Sequence, residues 1–116
     1  RCCNNLTEIP PEIGYMKNLE ILNVANNKIE QIPDTICFLN GLIKLDISNN
    51  NIREIPVVLR KLLNLTHLNL KGNEIEMLPS EIGELINLVS LNLADNPIQY
   101  LPIELNKITN LTELNI

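Results

Sequence analysis

Aromatic side chains are almost missing: the 116 residues contain one Phe, two Tyr and no Trp. A core built around large rings is excluded, so it has to be aliphatic, and a hydrophobic share of 45% supplies enough Leu and Ile for one. Basic charge is short as well. Nine Lys and Arg stand against 14 Asp and Glu, a formal net charge of −5. That balance opposes nucleic-acid binding, where a basic stripe supplies much of the affinity. No apolar run approaches the roughly 20 residues a membrane span needs. The helical stretches are also too short for an amphipathic anchor, so no membrane insertion is expected. No secretory leader is recognised, although a sequence that opens on Arg1 leaves room for a targeting segment upstream.

Cysteine is sparse. Cys2, Cys3 and Cys37 give an odd count and no metal-ligand spacing, and they form no disulfide framework. Free thiols point to a reducing compartment and a cytoplasmic protein. Three N-x-S/T sequons, at Asn5, Asn64 and Asn110, speak for the alternative of a secreted or cell-surface chain. Two of them arise only because the sequence writes Asn-Leu there repeatedly. The four glycines, Gly14, Gly41, Gly72 and Gly83, form no phosphate-cradling loop, and no cofactor is expected.

What is present is a repeat. Asn4, Asn27, Asn50, Asn73 and Asn96 each follow the last by 23 residues, and everything around them keeps that beat. Units begin at Leu19, Leu42, Leu65 and Leu88. Each then carries an apolar pair two residues apart: Leu22 and Val24, Leu45 and Ile47, Leu68 and Leu70, Leu91 and Leu93. On a strand such pairs point the same way, which predicts that they face inward. After the ladder Asn come Leu6, Ile29, Ile52, Ile75 and Ile98, then an Ile or Leu followed by Pro10, Pro33, Pro56, Pro79 and Pro102. Proline ends extended pairing and suits the first turn of a short helix. Further apolar residues at steps of three, such as Ile82 and Leu85, fit a tight 3₁₀-like or α turn. Each unit therefore reads strand, turn, short helical arc, turn. Gly14 and Gly83 fall at equivalent points of the arc and read as helix termination. The ladder Asn, polar in an apolar register, is expected to be buried and hydrogen-bonded to turn backbone.

No unit of this kind can bury its apolar face alone, so neighbours must stack into one continuous core. The pattern L-x-x-L-x-L-x-x-N-x-L-x-x-L-P-x-x-I-x-x-L resembles leucine-rich repeats, in particular the 23-residue class of Ras-group proteins. Gly41 departs from it where other units have Asn, and Asn96-Pro97 departs at the turn. The resemblance implies an α/β right-handed solenoid, a horseshoe with a concave parallel sheet and short convex arcs. It also implies one domain over residues 1–116, of about five repeats with both ends cut mid-repeat, in a longer chain. For function it implies a protein partner, in a scaffold, phosphatase regulator or small-GTPase partner.

The outward columns of such a sheet form the candidate binding face. One is Ile21, Lys44, His67, Ser90 and Glu113, and a second is Asn23, Asp46, Asn69, Asn92 and Asn115. A third contains Cys2, Ala25, Ser48, Lys71 and Ala94, and a fourth Cys3, Asn26, Asn49, Gly72 and Asp95. The polar members (Lys44, Asp46, His67, Asn69, Lys71, Ser90, Asn92, Asp95 and Glu113), with Ile21 and Asn23, are the expected partner contacts; the same Asn column would also serve merely to solvate a sheet. Six strands at about 4.8 Å, read over about 13 Å, give on the order of 300 Å², below the roughly 800 Å² per partner of a standard interface. Asp46, His67 and Ser48 could be assembled into a hydrolytic trio. An open sheet excludes no water and offers no oxyanion hole, so no enzyme is expected within this sequence. His67 has no second His or Cys beside it, so no metal is expected.

Overall fold

The computed structural model describes residues 5–116. The apolar pairs form five three-residue strands: β1 Ile21–Asn23, β2 Lys44–Asp46, β3 His67–Asn69, β4 Ser90–Asn92 and β5 Glu113–Asn115. They lie in chain order in one parallel sheet. Register partners are 23 residues apart throughout, as in Lys44 with His67 and Leu45 with Leu68. The sixth strand read at the N-terminus, with Cys2, Cys3 and Asn4, lies outside the described residues.

The strands are short because their last residue turns the chain. Oδ1 of Asn23, Asp46, Asn69 and Asn92 accepts the N–H two residues on, at 3.0–3.1 Å. One residue further the backbone enters the left-handed region, at Asn26 (φ 63°), Asn49 (φ 57°), Gly72 (φ 73°) and Asp95 (φ 58°). Asn, Asp and Gly are the residue types that tolerate this conformation. The fourth column is therefore a turn and not part of the sheet, which corrects the placement of Asp95.

Next comes the ladder. Asn50 and Asn73 are 5% and 6% exposed, whereas Asn27 and Asn96, nearer the ends, are half-buried. Each Oδ1 accepts a backbone N–H from the preceding coil: Leu6 to Asn27, Ile29 to Asn50, Ile52 to Asn73 and Ile75 to Asn96, at 2.9–3.1 Å. Nδ2 of Asn50 donates to Val24, Ile47 and Ser48 carbonyls, and Asn73 and Asn96 repeat the pattern. One side chain thus ties two coils together.

The chain then runs to a proline with extended backbone, and a 3₁₀ arc follows it: Pro11–Tyr15, Asp34–Phe38, Val57–Lys61, Ser80–Glu84 and Ile103–Lys107. The repeating prolines stand just before the first turn, with ψ near 145° at Pro10, and each carbonyl accepts the N–H three residues on. Between sheet and arcs the aliphatic rows fill a single core, with Leu45, Ile47, Leu68, Leu70, Leu91 and Leu93 at most 1% exposed. Met16, at 55% exposure, is the exception in its row, because it belongs to the first coil.

Gly14 and Gly83 do not terminate helices. They lie inside arcs, both buried, with no left-handed φ. Their role is close approach to the next arc, since a Cβ on Gly83 would stand 2.5 Å from the Glu104 carbonyl oxygen.

A second ladder runs on the return side. Nδ2 of Asn64, Asn87 and Asn110 donates to the carbonyls of Asn40, Leu63 and Ile86, at 2.7, 2.6 and 3.5 Å. Gly41 occupies the missing rung. A Cβ there meets nothing closer than 3.8 Å, and the nearest atoms include the Lys17 carbonyl that an Asn would reach. Its φ is not left-handed. Gly41→Asn is expected to add about 0.5–1.5 kcal/mol from the hydrogen bond and roughly 0.4–1 kcal/mol from the lost freedom of glycine. A thermal melt checks this, and an unchanged or lower Tm would contradict it.

Candidate functional site

The first two outward columns meet on the open side of the sheet. Lys44, Asp46, His67, Asn69, Ser90, Asn92, Glu113 and Asn115 line a shallow hollow of about 350 Å³. Lys44, His67 and Glu113 are exposed, while Asp46, Asn69, Ser90 and Asn92 are half-buried. Ile21, at 60% exposure, and Asn23 extend the face at its first strand. Lys71 is exposed and follows β3 by two residues, and its carbonyl accepts the Asn49 N–H at 2.7 Å, so pairing continues past the strand. These residues are brought together as the spacing predicts.

Two others are not. Asp95 sits on the left-handed turn, outside the hollow. Ser48, placed in an outward column, is only 6% exposed, because its hydroxyl donates to Asp46 Oδ1 at 2.7 Å. The same bond removes the hydrolytic trio. Ser48 is turned to Asp46, and His67 Nδ1 is paired with Thr66 Oγ1 at 2.8 Å.

The second column has a structural duty that sequence reasoning missed. Its oxygens hold the N–H groups of Ala25, Ser48, Lys71 and Ala94, so only the amide NH₂ groups of Asn23, Asn69 and Asn92 are left to face outward. The signal was available: a short polar residue recurs three positions before an Asn, Gly or Asp that can adopt positive φ.

On the flank between the first ladder and the arcs lies a larger, open hollow of about 830 Å³. Glu30, Asp34, Glu54 and Glu74 surround Arg53, which pairs with Glu74 at 3.3 Å. That ion pair is solvent-exposed and contributes little to stability. The described residues contain no group of three or more His, Cys, Asp or Glu able to hold a metal ion.

The leucine rich repeat family profile matches residues 2–52 and 17–75. Among curated proteins no significant relative is found. A leucine-rich-repeat protein of Leptospira interrogans has a similar structure, with TM-score 0.93 over 97% of this chain at 37% identity. The plant peptide hormone receptor RGFR1, solved in complex with RGF2, gives 0.83 over 93% at 34% identity. An internalin of Listeria monocytogenes gives 0.81 over 96% at 31% identity. The chain spans 29%, 18% and 32% of those three chains. Aliphatic rows in a 23-residue rhythm, a file of ladder asparagines and a profile match reaching from residue 2 to residue 75 make the chain a member of the leucine-rich-repeat family, whose domains generally serve as protein–protein interaction modules.

Proposed function

We propose that this chain is a non-enzymatic adaptor or scaffold unit that binds a partner protein through the concave face of its sheet. The observation that carries this reading is the pair of in-register polar columns projecting from a parallel sheet and lining one shallow hollow. The resemblance to the Ras-group class makes a small GTPase or a phosphatase the partner class, in the cytoplasm. The free thiol of Cys37 fits a reducing compartment. Five strands give four gaps of about 4.8 Å, so the face covers on the order of 250 Å² over about 13 Å of readable width, short of about 800 Å². Further repeats, or the loops at the edges of the sheet, make up the difference.

Affinity capture from a cell extract tests the face. The double variant Lys44→Glu/Lys71→Glu is expected to lose the partner that the parent chain retains. Retention of every partner by the double variant would move the site elsewhere.

A second reading, a segment of a receptor ectodomain or of a larger enzyme that recruits substrate, is favoured by the greater length of the similar structures and by the plant receptor among them. Mass spectrometry of the native product separates the two. Glycan on Asn64 supports the receptor, and extra catalytic sequence supports the enzyme.

A further inference from the structure

In a chain of net charge −5, two adjacent strands expose no carboxylate at all. β3 reads His-Leu-Asn and β4 reads Ser-Leu-Asn. His67 pairs with Ser90 and Asn69 with Asn92, neighbours at about 4.8 Å. Asn69 Oδ1 and Asn92 Oδ1 accept the N–H groups of Lys71 and Ala94, both at 3.1 Å. These bonds fix the amide orientation: an oxygen must face the backbone N–H, so each Nδ2 turns outward with its hydrogens. With the Ser90 hydroxyl and the Lys71 ammonium, they make a window rich in donors and free of carboxylates. Carboxylates begin one strand away on each side, with Asp46 on β2 and Glu113 on β5.

We infer that the concave face takes an extended partner segment of the pattern base–x–acid–x–base, with the acidic side chain seated between β3 and β4. This rests on the concave-face reading and adds the partner's chemistry to it. The spacing supports the pattern. Asp46 and Glu113 lie three strands apart, about 14 Å across the sheet, and two residues out of register, about 16 Å in all. Long side chains four residues apart on an extended chain, roughly 3.3 Å per residue, can span that distance. A segment crossing the strands thus places one residue over the window and residues two positions away over each acid. Side chains two apart on an extended chain point the same way, so all three reach the sheet together. A segment ending in a carboxylate could place a base over only one of the flanking acids, whereas a segment with an internal acid places a base over both. Asp46 is the weaker of the two flanks. Its Oδ1 already accepts the N–H and O–H of Ser48, and Lys44 shares its strand.

The probe is a blocked pentapeptide, acetyl-Lys-Ala-Glu-Ala-Lys-amide, titrated into the isotope-labelled chain while side-chain amide resonances are followed by NMR. Saturable shifts are expected at the Asn69 and Asn92 NH₂ groups. An analogue with Gln for Glu is expected to bind several-fold more weakly, because a charge-assisted hydrogen bond is about twice as strong as a neutral one. Asn69→Asp keeps an oxygen for the Lys71 N–H and so keeps the fold, but it replaces the outward donor by a negative charge; it is expected to abolish the shifts at Asn92. Equal binding of the Glu and Gln peptides at this face would overturn the carboxylate assignment and leave the concave reading standing. Absence of shifts with either peptide, or shifts confined to residues away from β3 and β4, would also overturn the assignment. The concave reading itself falls only if partner capture survives the Lys44→Glu/Lys71→Glu exchange.

Discussion

Asn73→Ala is expected to lower the urea midpoint of unfolding far more than Asn69→Ala, although both remove one carboxamide from neighbouring turns. Asn73 is 6% exposed, and its Oδ1 accepts the Ile52 N–H of the preceding coil at 2.9 Å. Its Nδ2 donates to the carbonyls of Ile47 and Leu70, both at 3.0 Å, and to that of Lys71 at 3.3 Å. Alanine leaves the Ile52 N–H without a partner in a place water does not reach. The three carbonyls each lose one bond and keep another, from Asn50 Nδ2, Asn96 Nδ2 and the Asn49 N–H. The stranded N–H costs about 1–3 kcal/mol and each lost carbonyl bond about 0.5–1.5 kcal/mol, so a loss on the order of 3–5 kcal/mol follows. That is a large part of the roughly 5–15 kcal/mol that holds a typical domain together. Asn69 gives up one exposed bond to the Lys71 N–H, which water replaces, and about 1 kcal/mol or less is expected. The denaturant slope should be the same for both variants, so the difference is read from the midpoints. Equal midpoints would mean that the ladder is not what joins the coils.

What could be read from the sequence, and what could not, divides according to how each residue is held. The inward rows, the ladder and the parallel register were legible because the 23-residue beat states them in every coil. Leu68 and Leu70 point inward for the same reason that Leu45 and Ile47 do, and each copy supports the next. The extent of the outward face was less legible. Asp95 leaves the face because the backbone turns left-handed there, and Ser48 is drawn in by its own bond to Asp46, although Lys71 at the equivalent place stays exposed. Gly83 was misread for a different cause. Its neighbour is Glu104, 21 residues away and on another arc, and local turn chemistry carries no trace of that contact. The second ladder was visible as a recurring Asn before each leading Leu, and Gly41 as its gap, but its donors and acceptors needed coordinates. Partner chemistry is written once, in Lys44, His67, Lys71 and Glu113, and has no repetition to support it.

Gly83→Ala is expected to destabilise the chain by about 1–3 kcal/mol, the usual cost of forcing an extra carbon into a packed contact, and Gly83→Val by more. The cause is distance to the next coil rather than backbone strain, because Gly83 is not in the left-handed region. An added Cβ would lie 2.5 Å from the Glu104 carbonyl oxygen and 2.9 Å from its Cβ, so the fourth and fifth arcs would have to separate. Equivalent arc positions carry Cys37 and Arg60, where the arcs accommodate side chains, so glycine at this point is not a requirement of the repeat itself. The three glycines without positive φ should then rank by clearance. Gly83→Ala is the most harmful. Gly14→Ala is next, with a Cβ 3.0 Å from Thr35 Cβ and O, and Gly41→Ala, with nothing nearer than 3.8 Å, is tolerated. Since the closest atom to Gly83 belongs to backbone, trimming the neighbour in Gly83→Ala/Glu104→Gly should restore little of the lost stability. Calorimetric melts of the three alanine variants, the double variant and Glu104→Gly check both the order and the missing rescue. A double variant as stable as Glu104→Gly alone would show that the side chain, and not the carbonyl, sets how closely these arcs approach.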